Sequence, residues 1–219
     1  MPEFTITLGN KNYSSWSLRG WLALKQTGAA FDEVVIPLDR PDTKAKLLAA
    51  SGSARVPVLR HGALTVWDSL AIGEYLAELF PEAGLWPAAS ETRAVARAVA
   101  AEMHAGFAAL REHLPMDLGG RDPARGREAG AIPAVARDIA RVVEIWQDCR
   151  TRFGRTGDFL FGGFSLADAA YAPVAGRFVS YGIELPGTAA AYRDAVMAWP
   201  AMGEWLAAAR EEPWVIDSP

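Results

Sequence analysis

The sequence predicts an α/β domain followed by an all-helical domain. Short β-rich runs occur within the first 70 residues, where they alternate with helical patterns. From residue 91 onward, apolar residues recur every three or four positions, which is typical of helices. Residues 81–87 lie between the two parts and are rich in turn-forming residues. We therefore expect an α/β domain at 1–80, a linker at 81–90 and a helical domain at 91–219.

The beginning of the chain has the pattern of a β-α-β unit. Residues 4–8 alternate as a strand, and the serine-rich run 14–17 precedes apolar residues at helical spacing. Serine is a good N-cap, and Gly28 is a suitable C-terminal stop. Residues 31–38 fit a second strand, which a helical crossover would make parallel to the first. A short helix is predicted at 44–50.

A β-hairpin and a further helix follow. Two β-rich runs, residues 56–59 and 64–67, flank a turn at His61-Gly62. Pro57 lies inside the first run, which indicates either an edge position or a cis peptide bond. Asp68-Ser69 then opens a helical pattern. Because a helix N-terminus offers unpaired N–H groups, this position suits a carboxylate ligand.

Helices account for the rest of the chain. Four apolar residues between Met103 and Leu114 form one helical stripe, and residues 115–130 are expected to form a mobile loop. Seven apolar residues between 132 and 153 predict an amphipathic helix of about six turns. Ser165 and Asp168 form the pattern of a capping box. Two further helices are predicted at 189–197 and 201–210.

Composition excludes several classes of protein. The net charge of −4 argues against a nucleic-acid-binding surface, which requires clustered Lys and Arg. The single cysteine, Cys149, allows no intrachain disulfide. The chain shows no signal peptide and no apolar stretch of about 18 residues, so we expect a cytoplasmic protein. No His, Cys, Asp and Glu spacing resembles a metal site, so we expect no metal.

The motifs together resemble those of the soluble glutathione S-transferase family. The resemblance rests on the Val56-Pro57 step, the hairpin, the Asp68-Ser69 pair and the Ser165/Asp168 box, and it covers essentially the whole chain. The run Ser14-Ser15-Trp16-Ser17 with Arg19 resembles the S-S-C-S-W-R run of the zeta class, with Trp16 in place of the cysteine. The resemblance implies a bacterial, serine-type transferase, nearest to the zeta and theta classes. It implies a thioredoxin-like domain and a helical domain.

The resemblance also implies the chemistry. Glutathione would be the co-substrate, and its thiolate would be stabilised by Ser14 or, as second candidate, Ser15. Tyr13 is a third candidate, because other classes of the family use a tyrosine hydroxyl. The thiolate would attack a small hydrophobic electrophile in a conjugation, an isomerisation or a dehalogenation. The alternative is a non-catalytic module of the same fold that binds glutathione or another protein.

By the same resemblance, residues of the α/β domain would hold glutathione. The Val56 backbone would pair with the cysteinyl moiety, Asp68 would face the ammonium group and Ser69 the γ-glutamyl carboxylate. The further binding candidates are Arg55, Pro57, Lys44 and Arg40. The electrophile site would lie between the domains, lined by residues 10–13 with Met103, His104, Phe107 and Arg111. The family is normally a homodimer, so we expect one here.

Overall fold

The structure, a computed structural model, describes residues 3–216 and confirms the predicted fold class. A four-stranded sheet has the order β2-β1-β3-β4. The strands are β1 (Phe4–Leu8), β2 (Phe31–Val35), β3 (Val58–His61) and β4 (Leu64–Val66). β1 pairs parallel to β2 and antiparallel to β3, and β4 pairs antiparallel to β3. The parallel pairing of the first two strands, predicted from the crossover, is confirmed.

Several strand boundaries differ from the prediction. β2 ends at Val35, three residues earlier than predicted, and its three central residues are exposed because it is an edge strand. β3 begins at Val58, after a cis peptide bond between Val56 and Pro57. The hairpin turn is therefore one residue later than predicted, at Gly62-Ala63, and Gly62 has φ 57°. A positive φ of this size favours glycine, so the turn lies where glycine is.

Three helices complete the α/β part: α1 (Ser15–Gln26), α2 (Thr43–Ala50) and α3 (Ser69–Leu79). α1 lies between α3 and a helix of the second half, so it joins the two parts of the molecule. Gly20 allows α1 to approach the start of β3, because a Cβ atom there would lie 2.8 Å from Pro57 Cγ. The first residues of α1 are thereby held beside the Val56-Pro57 step.

The second half is helical, as predicted. Its helices are α4 (Ser90–Ala105), α5 (Ala108–His113), α6 (Pro123–Gly130), α7 (Pro133–Phe153), α8 (Leu166–Ser180), α9 (Gly187–Ala198) and α10 (Pro200–Glu211). Trp146 of α7 lies at the centre of the core, in contact with aromatic rings of α8 and α9. Along the part of the chain that the structure describes, no helix is both long and apolar enough to span a membrane.

Two predictions for this half are wrong. The predicted stripe from Met103 to Leu114 is broken, because α4 ends at Ala105 and Phe107 has a left-handed backbone with φ 57°. Residues 115–130, predicted as a mobile loop, contain α6. Asp122 caps α6, and Gly126 brings it against the Tyr181 carbonyl, where a Cβ atom would lie 1.9 Å from the oxygen. The glycine thus serves helix packing, which its sequence context does not reveal.

The predicted capping box is confirmed and buried. Asp168 accepts hydrogen bonds from Ser165 N and Ser165 Oγ, each at 2.8 Å, and from Leu160 N and Tyr192 Oη, each at 3.0 Å. Burial raises the pKa of Asp168 to about 6, since it disfavours the charged form. The box therefore fastens the start of α8 to two other segments of the helical half, which is a folding role.

Candidate active site

A cavity of about 710 Å³ lies where the start of α1, the segment before β3 and the start of α3 meet. Its walls include seven predicted site residues and the third thiolate candidate, Tyr13. The lining residues are Tyr13, Ser14, Ser15, Trp16, Leu38, Leu47, Ser53, Ala54, Arg55, Val56, Pro57, Trp67, Asp68, Ser69 and His104. The fold thus brings together three segments that are far apart in the sequence.

Ser14 is the N-cap of α1, and its hydroxyl is engaged within the cap. Its Oγ accepts a hydrogen bond from Ser17 N at 3.3 Å and donates one to Ser17 Oγ at 2.7 Å. Ser17 Oγ in turn accepts a hydrogen bond from Gly9 N at 2.9 Å. The hydroxyl proton of Ser14 is therefore donated to Ser17 and not to the cavity, so Ser14 stabilises the start of α1.

Ser15 is the first residue of α1, and its hydroxyl is free. Among residues 3–216, no group forms a hydrogen bond with Ser15 Oγ, although the residue lines the cavity. Its position at the positive end of α1 favours a negative charge nearby. Ser15 therefore combines a free hydroxyl donor with the field of a helix N-terminus.

Asp68 and Ser69 form the N-terminus of α3 on the other side of the cavity. Asp68 Oδ1 caps the helix, since it accepts hydrogen bonds from Leu70 N at 2.9 Å and Ala71 N at 3.4 Å. Its second oxygen, Oδ2, lies 3.3 Å from His104 Nε2, and the Asp68 side chain is exposed to solvent. Asp68 thus has a carboxylate oxygen on the cavity side that a cationic group of a ligand can approach.

Val56 presents an unpaired backbone to the cavity. Within the described part of the chain, neither its N–H nor its C=O forms a hydrogen bond, because β3 starts only at Val58. An extended peptide can therefore pair with Val56 as an additional strand would.

Several predicted residues lie elsewhere. Lys44 and Arg40 are exposed and do not line the cavity. Met103 and Phe107, predicted for the electrophile wall, are buried in the core. Asn10 is also buried, and its Oδ1 accepts a hydrogen bond from Leu38 N at 2.7 Å. Of the residues predicted for that wall, only Tyr13 and His104 line the cavity.

Sequence reasoning missed the group around Trp16. The guanidinium carbons of Arg19 and Arg111 lie 4.3 Å and 4.9 Å from the centre of its ring, and the His104 ring meets it edge-on at 5.0 Å. Burial, together with the charges of Arg177 and Arg111, lowers the pKa of Arg19 to about 9. Arg19 is therefore still a cation at neutral pH. Arg19 follows Trp16 by three positions along α1, and this spacing was the sequence signal from which their contact could have been predicted.

The fold combines a small α/β part with a helical part, and His104 of the helical part lines the same cavity as the α/β residues. Residues 13–79 match the sequence model of the glutathione S-transferase N-terminal domain. Residues 131–208 match the model of the glutathione S-transferase C-terminal domain. The two matches together cover about two thirds of the chain. The chain therefore belongs to the glutathione S-transferase family.

Solved structures agree with this assignment. A glutathione transferase homologue from Burkholderia gl BGR1, with bound glutathione, is 25% identical, covers 94% of this chain and 97% of its own, and has a TM-score of 0.70. A theta class glutathione S-transferase from Xanthomonas axonopodis pv. citri, also with glutathione bound, has 23% identity, 94% and 98% coverage and a TM-score of 0.65. A bacterial zeta class maleyl pyruvate isomerase has 22% identity, 98% and 100% coverage and a TM-score of 0.71. No curated protein matches the sequence.

Proposed function

We propose that this protein is a glutathione transferase in which Ser15 stabilises the glutathione thiolate. The observation that carries the proposal is the free Ser15 hydroxyl at the N-terminus of α1, on the same cavity as Asp68 and the unpaired Val56 backbone. Two glutathione-bound structures of the same fold support the choice of ligand. The sequence favoured Ser14, but its engaged proton favours Ser15.

Each part of glutathione has a complementary group in the cavity. The ammonium group would face Asp68 Oδ2, and the γ-glutamyl carboxylate would lie at Ser69, where α3 begins. The cysteinyl peptide group would pair with the Val56 backbone. Arg55 lines the cavity and is the better partner for the glycyl carboxylate, because Lys44 and Arg40 lie outside it.

The chemistry follows from this placement. A glutathione thiol is mostly protonated at neutral pH, so the protein must favour its thiolate. The positive end of α1 and a hydrogen bond donated by Ser15 Oγ both stabilise negative sulfur. The thiolate then attacks an electrophilic carbon and forms a carbon–sulfur bond, while either a leaving group departs with its bonding electron pair or the π electrons of a double bond at that carbon move to the neighbouring atom, which then takes a proton. This first step is common to conjugation, isomerisation and dehalogenation, so the proposal applies to all three reactions.

Calorimetric titration with reduced glutathione tests the proposal. Asp68→Asn keeps an oxygen that can cap α3 but removes the negative charge, so glutathione should bind about 10- to 100-fold more weakly, as expected for one lost charge-assisted hydrogen bond. Asp158→Asn removes an equal charge at an exposed position away from the cavity and should leave binding unchanged.

Absence of binding by the parent protein at millimolar glutathione would refute the proposal. It would favour the alternative of a non-catalytic protein-interaction module. The homodimer and the cytoplasmic location stay predictions from the sequence.

A further inference from the structure

The loop that precedes α1, residues 9–14, is held by side chains of the helical half. Both backbone polar groups of Lys11 have partners on α10 or on the residue that follows it. Lys11 N donates a hydrogen bond to Glu212 Oε1 at 2.9 Å, and Trp205 Nε1 donates one to Lys11 O at 2.9 Å. Asn12 N donates to the second oxygen of Glu212, Oε2, at 3.4 Å. The carboxylate of Glu212 thus binds two successive N–H groups, although Lys11 and Glu212 are 201 positions apart in the sequence.

Asn12 anchors the same loop at a second place. Its Nδ2 donates a hydrogen bond to Asp117 Oδ1 at 2.7 Å, and its Oδ1 accepts one from Gly119 N at 2.7 Å. Its backbone oxygen accepts a third from Leu118 N at 3.3 Å. Residues 117–119 lie between α5 and α6. Two separate segments of the helical half therefore hold one loop of the α/β part.

The side chain of Lys11 is buried together with the loop. The residue is 7% exposed, its Nζ lies 2.5 Å from Glu33 Oε2, and the same Nζ lies 5.3 Å from the centre of the Trp205 ring. A buried cation is stable only with such partners, because burial removes it from water. The Lys11 backbone therefore has a fixed place between β2 and α10.

A tight turn connects the anchored residues to the serines of the site. Tyr13 N and Ser14 N both donate hydrogen bonds to Asn10 O, at 3.2 Å and 2.8 Å, so Lys11 lies inside the turn. Ser15 N in turn donates to Tyr13 O at 3.1 Å. A shift of the Lys11 backbone would therefore shift the turn and, with it, the first residue of α1.

We propose that Glu212 is a positioning residue for the thiolate, because it holds the loop at residues 9–14 and thereby sets the place of the Ser15 hydroxyl in the cavity. The inference rests on the proposed function of Ser15. A hydroxyl stabilises a thiolate only at hydrogen-bond distance and in a suitable direction, and a displacement of about 1 Å can remove much of the effect. Glu212 does not line the cavity, so it acts through the loop and not by contact with the ligand.

The pKa of the bound glutathione thiol tests this role. It is measured from the ultraviolet absorbance of the thiolate, with each protein saturated by glutathione. Glu212→Ala removes both acceptors and should raise this pKa by about 0.5–1 unit, less than loss of the Ser15 hydroxyl, because Asn12 still anchors the loop. Below both pKa values, the thiolate fraction should fall about 3- to 10-fold. Glu212→Gln keeps one acceptor oxygen, so it should restore part of the difference.

Glu204→Ala is the matched control. Glu204 also belongs to α10 and also binds α1, through an ion pair with Lys25 Nζ at 2.6 Å. Lys25 lies in the last turn of α1, at the opposite end of the helix from Ser15. The control therefore removes an equal charge and a contact of the same two segments of the molecule, but it leaves the loop in place. The pKa of the bound thiol should stay at the value of the parent.

A lower Tm in Glu212→Ala with an unchanged thiol pKa would overturn the inference, because Glu212 would then serve folding alone. An equal rise of the thiol pKa in Glu204→Ala would also overturn it, since any contact of α10 would then have the same effect. If Glu212→Ala does not fold, Glu212→Gln decides, and an unchanged thiol pKa in that variant would again overturn the inference.

The same samples separate this inference from the proposed function. A parent protein that does not bind glutathione would refute both. A parent that binds glutathione and lowers the pKa of its thiol, together with a Glu212→Ala variant that lowers it equally, would refute the role of Glu212 and leave the proposed function standing.

Discussion

The two neighbouring serines at the start of α1 should respond differently to truncation. A hydrogen bond to a charged group contributes about 1.5–3 kcal/mol, and one pKa unit corresponds to about 1.4 kcal/mol. Ser15→Ala should therefore raise the pKa of the bound glutathione thiol by about 1–2 units. Below both pKa values, the thiolate fraction should fall about 10- to 100-fold. The stability of the protein should change little, because Ser15 Oγ has no partner among the described residues.

Ser14→Ala should give the opposite result. It removes the N-cap and the partner of Ser17 Oγ, which should cost about 0.5–2 kcal/mol of stability. For a chain of this length, 1 kcal/mol corresponds to a Tm change of about 2–4 °C. The pKa of the bound thiol should stay near that of the parent, because the proton of Ser14 is donated to Ser17.

The assay is the ultraviolet absorbance of the thiolate as a function of pH, with each protein saturated by glutathione. Thermal unfolding of the same samples gives the stability. A raised thiol pKa in Ser14→Ala with no change in Ser15→Ala would refute the reasoning and make Ser14 the donor, as the sequence predicted. If neither variant changes the pKa, neither serine is the donor, and Tyr13→Phe becomes the decisive variant.

Three further predictions concern two buried groups of the helical half and one contact of the loop before α1. Burial raises the pKa of Asp168 to about 6, above its ordinary value of 3.8, so the folded state binds this proton more tightly than the unfolded state. Relative to the Asp168→Asn variant, the free energy of unfolding of the parent should fall by about 3 kcal/mol as pH rises from about 4 to about 6. Urea unfolding of both proteins measures this, and a difference between them that does not change with pH would contradict the prediction. Burial also raises the pKa of Cys149 to about 12, so its thiol should react with a disulfide reagent in urea but not in the native protein. Fast labelling of Cys149 in the native protein would contradict this prediction. Glu212 accepts hydrogen bonds from Lys11 N at 2.9 Å and Asn12 N at 3.4 Å, in the loop before the serines. Glu212→Ala should speed amide exchange of these two residues while Asp158→Asn does not, and unchanged exchange would show that the contact does not hold the loop.

The sequence by itself determined the parts of this protein that depend on neighbouring residues. The β-α-β start, the hairpin, the long α7 and the capping box at Ser165 and Asp168 were all predicted and are all present. Periodicity and capping act over a few residues, so a short stretch of sequence carries the whole signal. The serine run at residues 14–17 likewise indicated where α1 begins.

Only the tertiary structure decided which groups of the site are free. Ser14 and Ser15 have the same side chain, and they differ because Ser17, held by Gly9, accepts the proton of Ser14. Phe107 leaves the predicted stripe through a left-handed backbone conformation, which periodicity does not reveal. Arg19 Nε and Nη1 have no hydrogen-bond partner within residues 3–216, and the nearby charges that α5 and α8 supply are the cations Arg111 and Arg177. Such contacts join residues far apart in the sequence, so no local pattern encodes them.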